Sequence, residues 1–325
     1  MSAISAIQQS IASELASLND LIAQTLSSPN KLMNMIVDNY LKTKGKQIRP
    51  ILVILSARLM GAVNDNTISA AASVELLHNA SLIHDDIVDE TKTRRGEPTV
   101  NGLWDNHIAV LIGDFFVSSS LQRALDTADL RIVDCVARLG KMLSIGELDQ
   151  IYCARFHHLN EDAYFRTIER KTASLFVSCV EMGAYTVNAP AAQIADISEF
   201  ARLLGLCFQI KDDIFDYYSD DKIGKPTGND LREGKITLPL LSVLLRDDAP
   251  DREAMLQLSR KEELSADEIS RLIDYAKANG GIDYAVNTMR KLRDRAVGLL
   301  TSKFPPSATR DSLVAIFDYT ICRES

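Results

Sequence analysis

Apolar residues recur at three- and four-residue intervals through most of the chain, the spacing that lines one face of an α-helix. "AAASVELLHNASLIHDD" and "ISEFARLLGLCFQIKDD" show it most clearly. No alternating strand run is bounded by hairpin turns, and no strand–helix–strand rhythm appears. Prolines stand only at 29, 50, 98, 190, 226, 239, 250, 305 and 306, with long helix-compatible stretches between them. The pattern predicts helices over 6–28, 31–43, 51–61, 68–91, 107–126, 130–155, 161–187, 191–219, 238–246, 252–260, 265–279 and 282–303. The expected fold class is therefore all-α. No low-complexity linker, composition shift or short-period repeat divides the chain, so residues 1–325 read as a single domain.

Two segments interrupt the helical pattern. "TKTRRGEPTVNG" (91–102) and "SDDKIGKPTGNDLREGK" (219–235) are rich in charge, glycine and proline and read as loops. Each follows an acidic triplet: "LIHDDIVDETKTRR" from Leu82 to Arg95, and "QIKDDIFDY" from Gln209 to Tyr217. On a helix Asp85 and Asp89 lie one turn apart, offset by about 40°, and Asp86 falls within the same stripe of roughly 100°. Asp212, Asp213 and Asp216 repeat the arrangement. Like charges at these spacings destabilise a helix unless cations intervene. Carboxylate oxygens suit hard cations such as magnesium, which completes its shell with water and substrate phosphate. One such helix end is a weak metal site and is often merely solvated. Two that face each other would clamp several ions with a diphosphate between them. Neither copy has the spacing of a calcium-binding EF-hand loop.

Cations cluster beside both triplets. "KGKQIRP" ends in a helix-starting proline, and Lys46 and Arg49 are spaced to reach one anion. Arg94 and Arg95 follow Asp89, Lys171 and Thr172 precede an apolar helix, and Lys225 and Lys235 lie in the second loop. Arginine suits bidentate phosphate contacts and lysine acts as a point charge. Taken singly, each would be a solvated surface charge. His78, about two turns before Asp85, is either a satisfied core histidine or part of an anion site with Lys46 and Arg49. Gln209, three residues before Asp212, is a polar residue amid apolar ones and would point into a cleft.

Composition narrows the field. The chain has 325 residues, 46% of them hydrophobic, and a formal net charge of −8. That balance argues against a general nucleic-acid binder, which needs a basic face. The five cysteines (135, 153, 179, 207 and 322) form no CxxC pair, and their odd number fits free thiols in a reducing cytoplasm. The first lysine is Lys31, so no basic region of a signal peptide opens the chain. "IAVLIGDFFV" is the longest apolar candidate, broken by Gly113 and Asp114, and no membrane span is expected.

Read together, these residues resemble the all-trans polyprenyl diphosphate synthases. The matching motifs are GKxxRP (Gly45 to Pro50), "LLHNASLIHDDIVD", the RRG of Arg94 to Gly96, Gly113–Asp114, Lys171–Thr172, "FQIKDDIFD" and "GKPTGNDLREGKITLP". The tail "LVAIFDYTICRES" is also similar. The resemblance implies helices packed around a deep central cleft, usually in a homodimer, and several magnesium ions bridging the diphosphate. It implies that Asp85, Asp89 and Asp212 hold magnesium, with Asp86, Asp213 and Asp216 in support. Arg94, Lys171, Lys225 and Lys235 would grip the allylic diphosphate, farnesyl or geranylgeranyl. Lys46, Arg49, His78 and Arg95 would bind isopentenyl diphosphate, and Thr172 and Gln209 would sit near the developing cation. The implied reaction breaks an allylic carbon–oxygen bond. The five-carbon donor's double bond attacks the cation, and the released diphosphate takes the proton.

Product length is read on the first acidic helix. Ser81 and Ala80, four and five residues before Asp85, lie about 6–8 Å below it. Ser81 and, roughly, Leu77 share the stripe of Asp85. Ala80 falls off it, and enters because family members often set length there. Small residues at 80 and 81, and Gly205 on the second helix, predict an open tunnel and a long product of octaprenyl type for a quinone side chain. Small residues also simply permit close helix packing. Transient membrane contact for product release is compatible with this reading. Four alternatives compete: a short-chain farnesyl or geranylgeranyl diphosphate synthase, a class I terpene cyclase, a phosphohydrolase using His78, His84 and Asp85, and a non-catalytic subunit of a prenyltransferase. The cyclase leaves Lys46, Arg49, His78 and Arg95 idle, the hydrolase leaves the second triplet unexplained, and a regulatory subunit would tend to lose the triplets.

Overall fold

A computed structural model describes residues 3–42, 45–94, 96–218 and 227–323. The described residues are almost entirely helical. The first helices are α1 (Ala3–Ser10), α2 (Ala12–Leu26), α3 (Lys31–Tyr40), α4 (Ile48–Met60) and α5 (Asp65–Val88). After a two-stranded ladder, β1 (Thr93–Arg94) and β2 (Glu97–Pro98), come α6 (Val100–Leu103), α7 (Asn106–Asp126), α8 (Leu130–Arg155) and α9 (Glu161–Ile168). A π-helical turn, Glu169–Ala173, leads into α10 (Ser174–Thr186) and α11 (Ala191–Phe215). The remainder is α12 (Asn229–Arg232), α13 (Leu238–Leu244), α14 (Arg252–Ser259), α15 (Ala266–Ala278), α16 (Gly281–Lys303) and α17 (Ala308–Cys322).

The expected helical segments are all helical, but the run expected over 6–28 is divided at Ile11 into α1 and α2, and α17 is not among the expected helices. Three further differences have local causes. The single helix expected over 161–187 is broken by the π turn at Lys171–Thr172. Helix α11 stops at Phe215 rather than 219. The first loop contains a minimal antiparallel pairing, Thr93 with Pro98 and Arg94 with Glu97. It closes through Gly96 at φ 80, a conformation glycine adopts without steric cost.

By contact the chain divides into two compact units. The first comprises 1–141, 175–201 and 300–316. Its centre is α5 lying along α7, with α4 and α2 also against α5. Ala70, Ala71, Ala72, Val74 and Leu76 of α5 are all fully buried. Small residues bring α5 and α7 close enough for Ser73 Oγ to donate to the Ser120 carbonyl at 2.8 Å, and Ser120 Oγ to the Ser73 carbonyl at 2.7 Å. The start of α5 is fixed by a capping box between Asn64 and Thr67. The second unit comprises 142–174, 202–299 and 317–325. Its core gathers Tyr217, Leu231, Leu240, Val243, Leu272 and Ala276, and α13 packs against α9, α14 and α15.

Candidate active site

In the first unit, the triplet occupies the last turn of α5. Asp85 is half-buried, Asp89 is exposed and ends the helix, and Asp86 is turned inward. This departs from the single stripe expected of the three. The hundred-degree step between Asp85 and Asp86 is enough to send the second side chain toward the loop that follows. There Arg94 Nε donates to Asp86 Oδ1 at 2.8 Å, and Asn101 Nδ2 donates to the Asp86 carbonyl at 3.0 Å. Burial, helped by the charge of Asp89, pushes the Asp86 carboxyl above its ordinary value, and Arg94 offsets only part of that rise. Arg94 is thus tied to the triplet by a charged pair, while Arg95 lies outside the described residues.

His78 is buried about two turns before Asp85, and Ser81 Oγ donates back to its carbonyl at 2.9 Å. Leu77 and Ala80 are buried, Ser81 half-buried. Lys46 is exposed just before α4, and Arg49 in the first turn of α4 places its guanidinium carbon 5.7 Å from the Phe176 ring centre. Gln47 between them takes a left-handed conformation, φ 53, which turns the chain into the helix. His84 contacts α7, with Nε2 3.6 Å from Asp114. A Cβ at Gly113 would come within 2.2 Å of that nitrogen, so glycine there leaves the space that the His84 ring occupies.

In the second unit, the triplet ends α11 and its members have divergent partners. Asp213 is 3% exposed. It accepts from Tyr164 Oη at 2.5 Å and from Gln209 Nε2 at 2.8 Å. Burial pushes Asp213 up to about 8, helped by the negative charge of Asp230 and opposed by those two hydrogen bonds. Gln209 Oε1 in turn accepts from Thr172 Oγ1 at 2.6 Å. This fixes the amide orientation: its nitrogen faces Asp213 and its oxygen faces Thr172. Asp216 accepts from the backbone N–H groups of Asn229 and Asp230, both at 3.0 Å, and so ties down α12. Asp212 is only half-buried and pairs with Arg323 at 2.5 Å.

The π turn sets Lys171 and Thr172. π-helical turns inside α-helices often accompany functional sites because they swing side chains off the regular register. Here the Lys171 ammonium pairs with Glu147 and donates to Gln150 Oε1 at 2.7 Å, both on α8. Gly146 lets the backbone of the π turn approach α8, since a Cβ there would meet the Lys171 backbone nitrogen at 2.6 Å. Lys235 pairs with Glu233 at 2.5 Å. Lys225 lies outside the described residues. A cavity of about 70 Å³ opens beside Asp213, lined among others by Gln150, Tyr164, Gln209, Asp230 and Lys235. The spacing reading missed Glu147, Gln150, Tyr164 and Arg323. The "ELDQ" of α8 offered a signal in its polar residues amid apolar ones, whereas Tyr164 and Arg323 offered none.

Among the described residues, no three His, Cys, Asp or Glu side chains converge as a closed metal cage. The donor sets still suit magnesium. That ion keeps several waters and takes one or two carboxylates plus substrate phosphate. Asp85, Asp89 and Asp212 are oxygen donors that retain access to solvent, as such a site requires.

An all-α chain with two aspartate triplets, each ending a helix with cations at hand, defines the isoprenoid synthase class. The chain belongs to the polyprenyl synthetase family, whose model matches residues 30–276. It is 32% identical over 318 residues to octaprenyl diphosphate synthase of Haemophilus influenzae, covering 96% of this chain and 95% of the relative. A polyprenyl synthase of Caulobacter crescentus, solved with calcium and isoprenyl diphosphate, aligns with TM-score 0.91 and 28% identity, covering 99% of this chain and 98% of that one. Geranylgeranyl pyrophosphate synthase of Bacteroides thetaiotaomicron aligns with TM-score 0.84 and 38% identity, covering 99% of each chain.

Proposed function

We infer that this prenyltransferase condenses isopentenyl diphosphate head-to-tail with an allylic diphosphate, farnesyl or geranylgeranyl, to give a long-chain all-trans polyprenyl diphosphate for a quinone side chain. The observation that carries the reading is the pair of aspartate triplets, each closing a helix with a cationic side chain paired to it, in a chain of this family. Residues 1–325 act as one functional polyprenyl synthase domain.

Asp85, Asp89 and Asp212 hold magnesium. Asp86, Asp213 and Asp216 support them through the partners already described. Magnesium, when bound, supplies positive charge to the leaving diphosphate. Arg94, Lys171, Lys225 and Lys235 bind that diphosphate, and Lys46, Arg49, His78 and Arg95 bind isopentenyl diphosphate. Thr172 has its proton committed to Gln209, so its oxygen lone pairs remain for a developing allylic cation. Gln209 is braced by Asp213, and Asp213 by Tyr164. The network presents a fixed dipole at the reacting carbon, the form of electrostatic help that needs no reorganisation during reaction.

Leu77, Ala80 and Ser81 are the chain-length residues, and the small side chains at 80 and 81 leave room for an elongating product. Octaprenyl diphosphate synthase among the relatives supports a long product, while the geranylgeranyl synthase marks the short alternative. The enzyme works in the cytoplasm as a homodimer. Helix α7 supports the dimer: it is long and apolar enough to cross a membrane, yet one face packs on α5. Its other face exposes Val110, Leu111, Val117, Leu121 and Leu125. An exposed stripe of this kind marks an interaction surface.

The test is a product ladder: purified protein, magnesium, labelled isopentenyl diphosphate and farnesyl diphosphate, with products resolved by length after dephosphorylation. A long discrete product is expected. A single added unit would refute the open tunnel, and no elongation with any allylic starter would refute the synthase.

A further inference from the structure

We propose that Arg323 is a positioning residue for Asp212, through which the C-terminal end of the chain sets magnesium affinity at the second triplet. This rests on Asp212 being a metal ligand. Arg323 directly follows α17, and its backbone N–H continues that helix with a bond to the Tyr319 carbonyl at 2.9 Å. Its side chain is 14% exposed and is held along one face of α11. One guanidinium nitrogen, Nη2, donates to Asp212 Oδ1 at 2.5 Å and to the Phe208 carbonyl at 3.2 Å. The guanidinium carbon lies 4.1 Å from the Phe208 ring centre and 5.5 Å from that of Phe215. Residues 208, 212 and 215 are spaced by four and three, so all these contacts fall on neighbouring turns of one helix face.

The consequence for Asp212 is geometric. A half-buried carboxylate near a helix end can still take more than one rotamer, and a metal must select one. Arg323 engages Oδ1 and fixes the plane of the carboxylate, and so the direction from which Asp212 meets a cation. Partners that orient a ligating side chain are worth about 10–100-fold in metal affinity. The planar guanidinium can bond the carboxylate and stack on the ring together, which a lysine cannot reproduce. The sequence gives no hint of the pairing, because the two residues are 111 positions apart.

The experiment titrates magnesium into the full chain with inorganic diphosphate present, without turnover, by calorimetry and by the shift in unfolding temperature. Wild type, Arg323→Ala, Arg323→Lys and Asp212→Ala are compared. Arg323→Ala should raise the half-saturating magnesium concentration about 10–100-fold. Its metal-free unfolding temperature should match wild type, and Arg323→Lys should recover only part of the affinity. Unchanged or tighter magnesium binding in Arg323→Ala, with Asp212→Ala impaired, would overturn the positioning role alone. Normal binding in Asp212→Ala would overturn the ligand assignment itself, and the proposal with it.

Discussion

Asp86 and Asp213 hold the same place in the two triplets, and both side chains are buried, at 6% and 3% exposure. Their partners differ. Asp86 meets the guanidinium of Arg94, a full countercharge from the adjacent loop. Among the described residues, Asp213 meets the neutral groups of Tyr164 and Gln209, with Asp230 adding repulsion. The third members differ as well: Asp89 is exposed, whereas Asp216 spends both oxygens on backbone N–H groups. One sequence motif therefore serves two electrostatic designs. In the first the inward carboxylate is neutralised by a cation; in the second burial favours a bound proton.

The largest expected effect strikes what the triplets share. Asp85→Ala and Asp212→Ala should each lower kcat by at least about 10²–10³-fold, the scale on which preorganised charge acts. Unfolding temperatures should stay near wild type, and near-normal turnover in either variant would break the equivalence of the two copies. Next comes Lys46→Ala, which should raise KM for isopentenyl diphosphate about 10–100-fold, the worth of a charge-assisted hydrogen bond. KM for the allylic substrate should move much less, and an equal change in both would refute the assignment of Lys46.

The third prediction separates the middle aspartates. A carboxyl that holds its proton more tightly folded than unfolded loses stability for the fold as pH rises. For Asp213 that loss runs from the ordinary value of 3.8 up to about 8. Asp213→Asn should flatten the decline of unfolding free energy over this window in metal-free protein, by at most about 1.4 kcal/mol per pH unit. Asp86→Asn should do less, because it also removes a countercharge pair. Identical pH profiles would erase the distinction drawn above. The smallest effect on rate belongs to Ser81→Phe, which should shorten the product ladder while leaving the first condensation largely intact. An unchanged ladder would remove this face of α5 from the tunnel.

Much of this was legible before any coordinates. The helices of α5, α7, α8 and α11 follow from apolar spacing because a helix repeats its faces every few residues. The triplets and their neighbouring cations follow from local sequence for the same reason. Less legible was the π turn at Lys171–Thr172, since one inserted residue leaves apolar periodicity nearly unchanged on either side. The reading of three carboxylates on one stripe also proved too coarse, because it treats the helix surface as uniform. Burial is not uniform around α5, and Asp86 lies on the side that the loop covers.

What the sequence determined by itself was the helical class, the two acidic helix ends and the cations near them in the chain, all set by interactions spanning a few residues. Only the tertiary structure decided which partner each group meets. Tyr164 reaches Asp213 across 49 positions, and Arg323 reaches Asp212 across 111. Glu147 on α8 claims Lys171. Helical periodicity specifies the face from which a side chain leaves. What it meets there depends on how distant helices pack, and that in turn sets whether a buried carboxylate carries a charge or a proton.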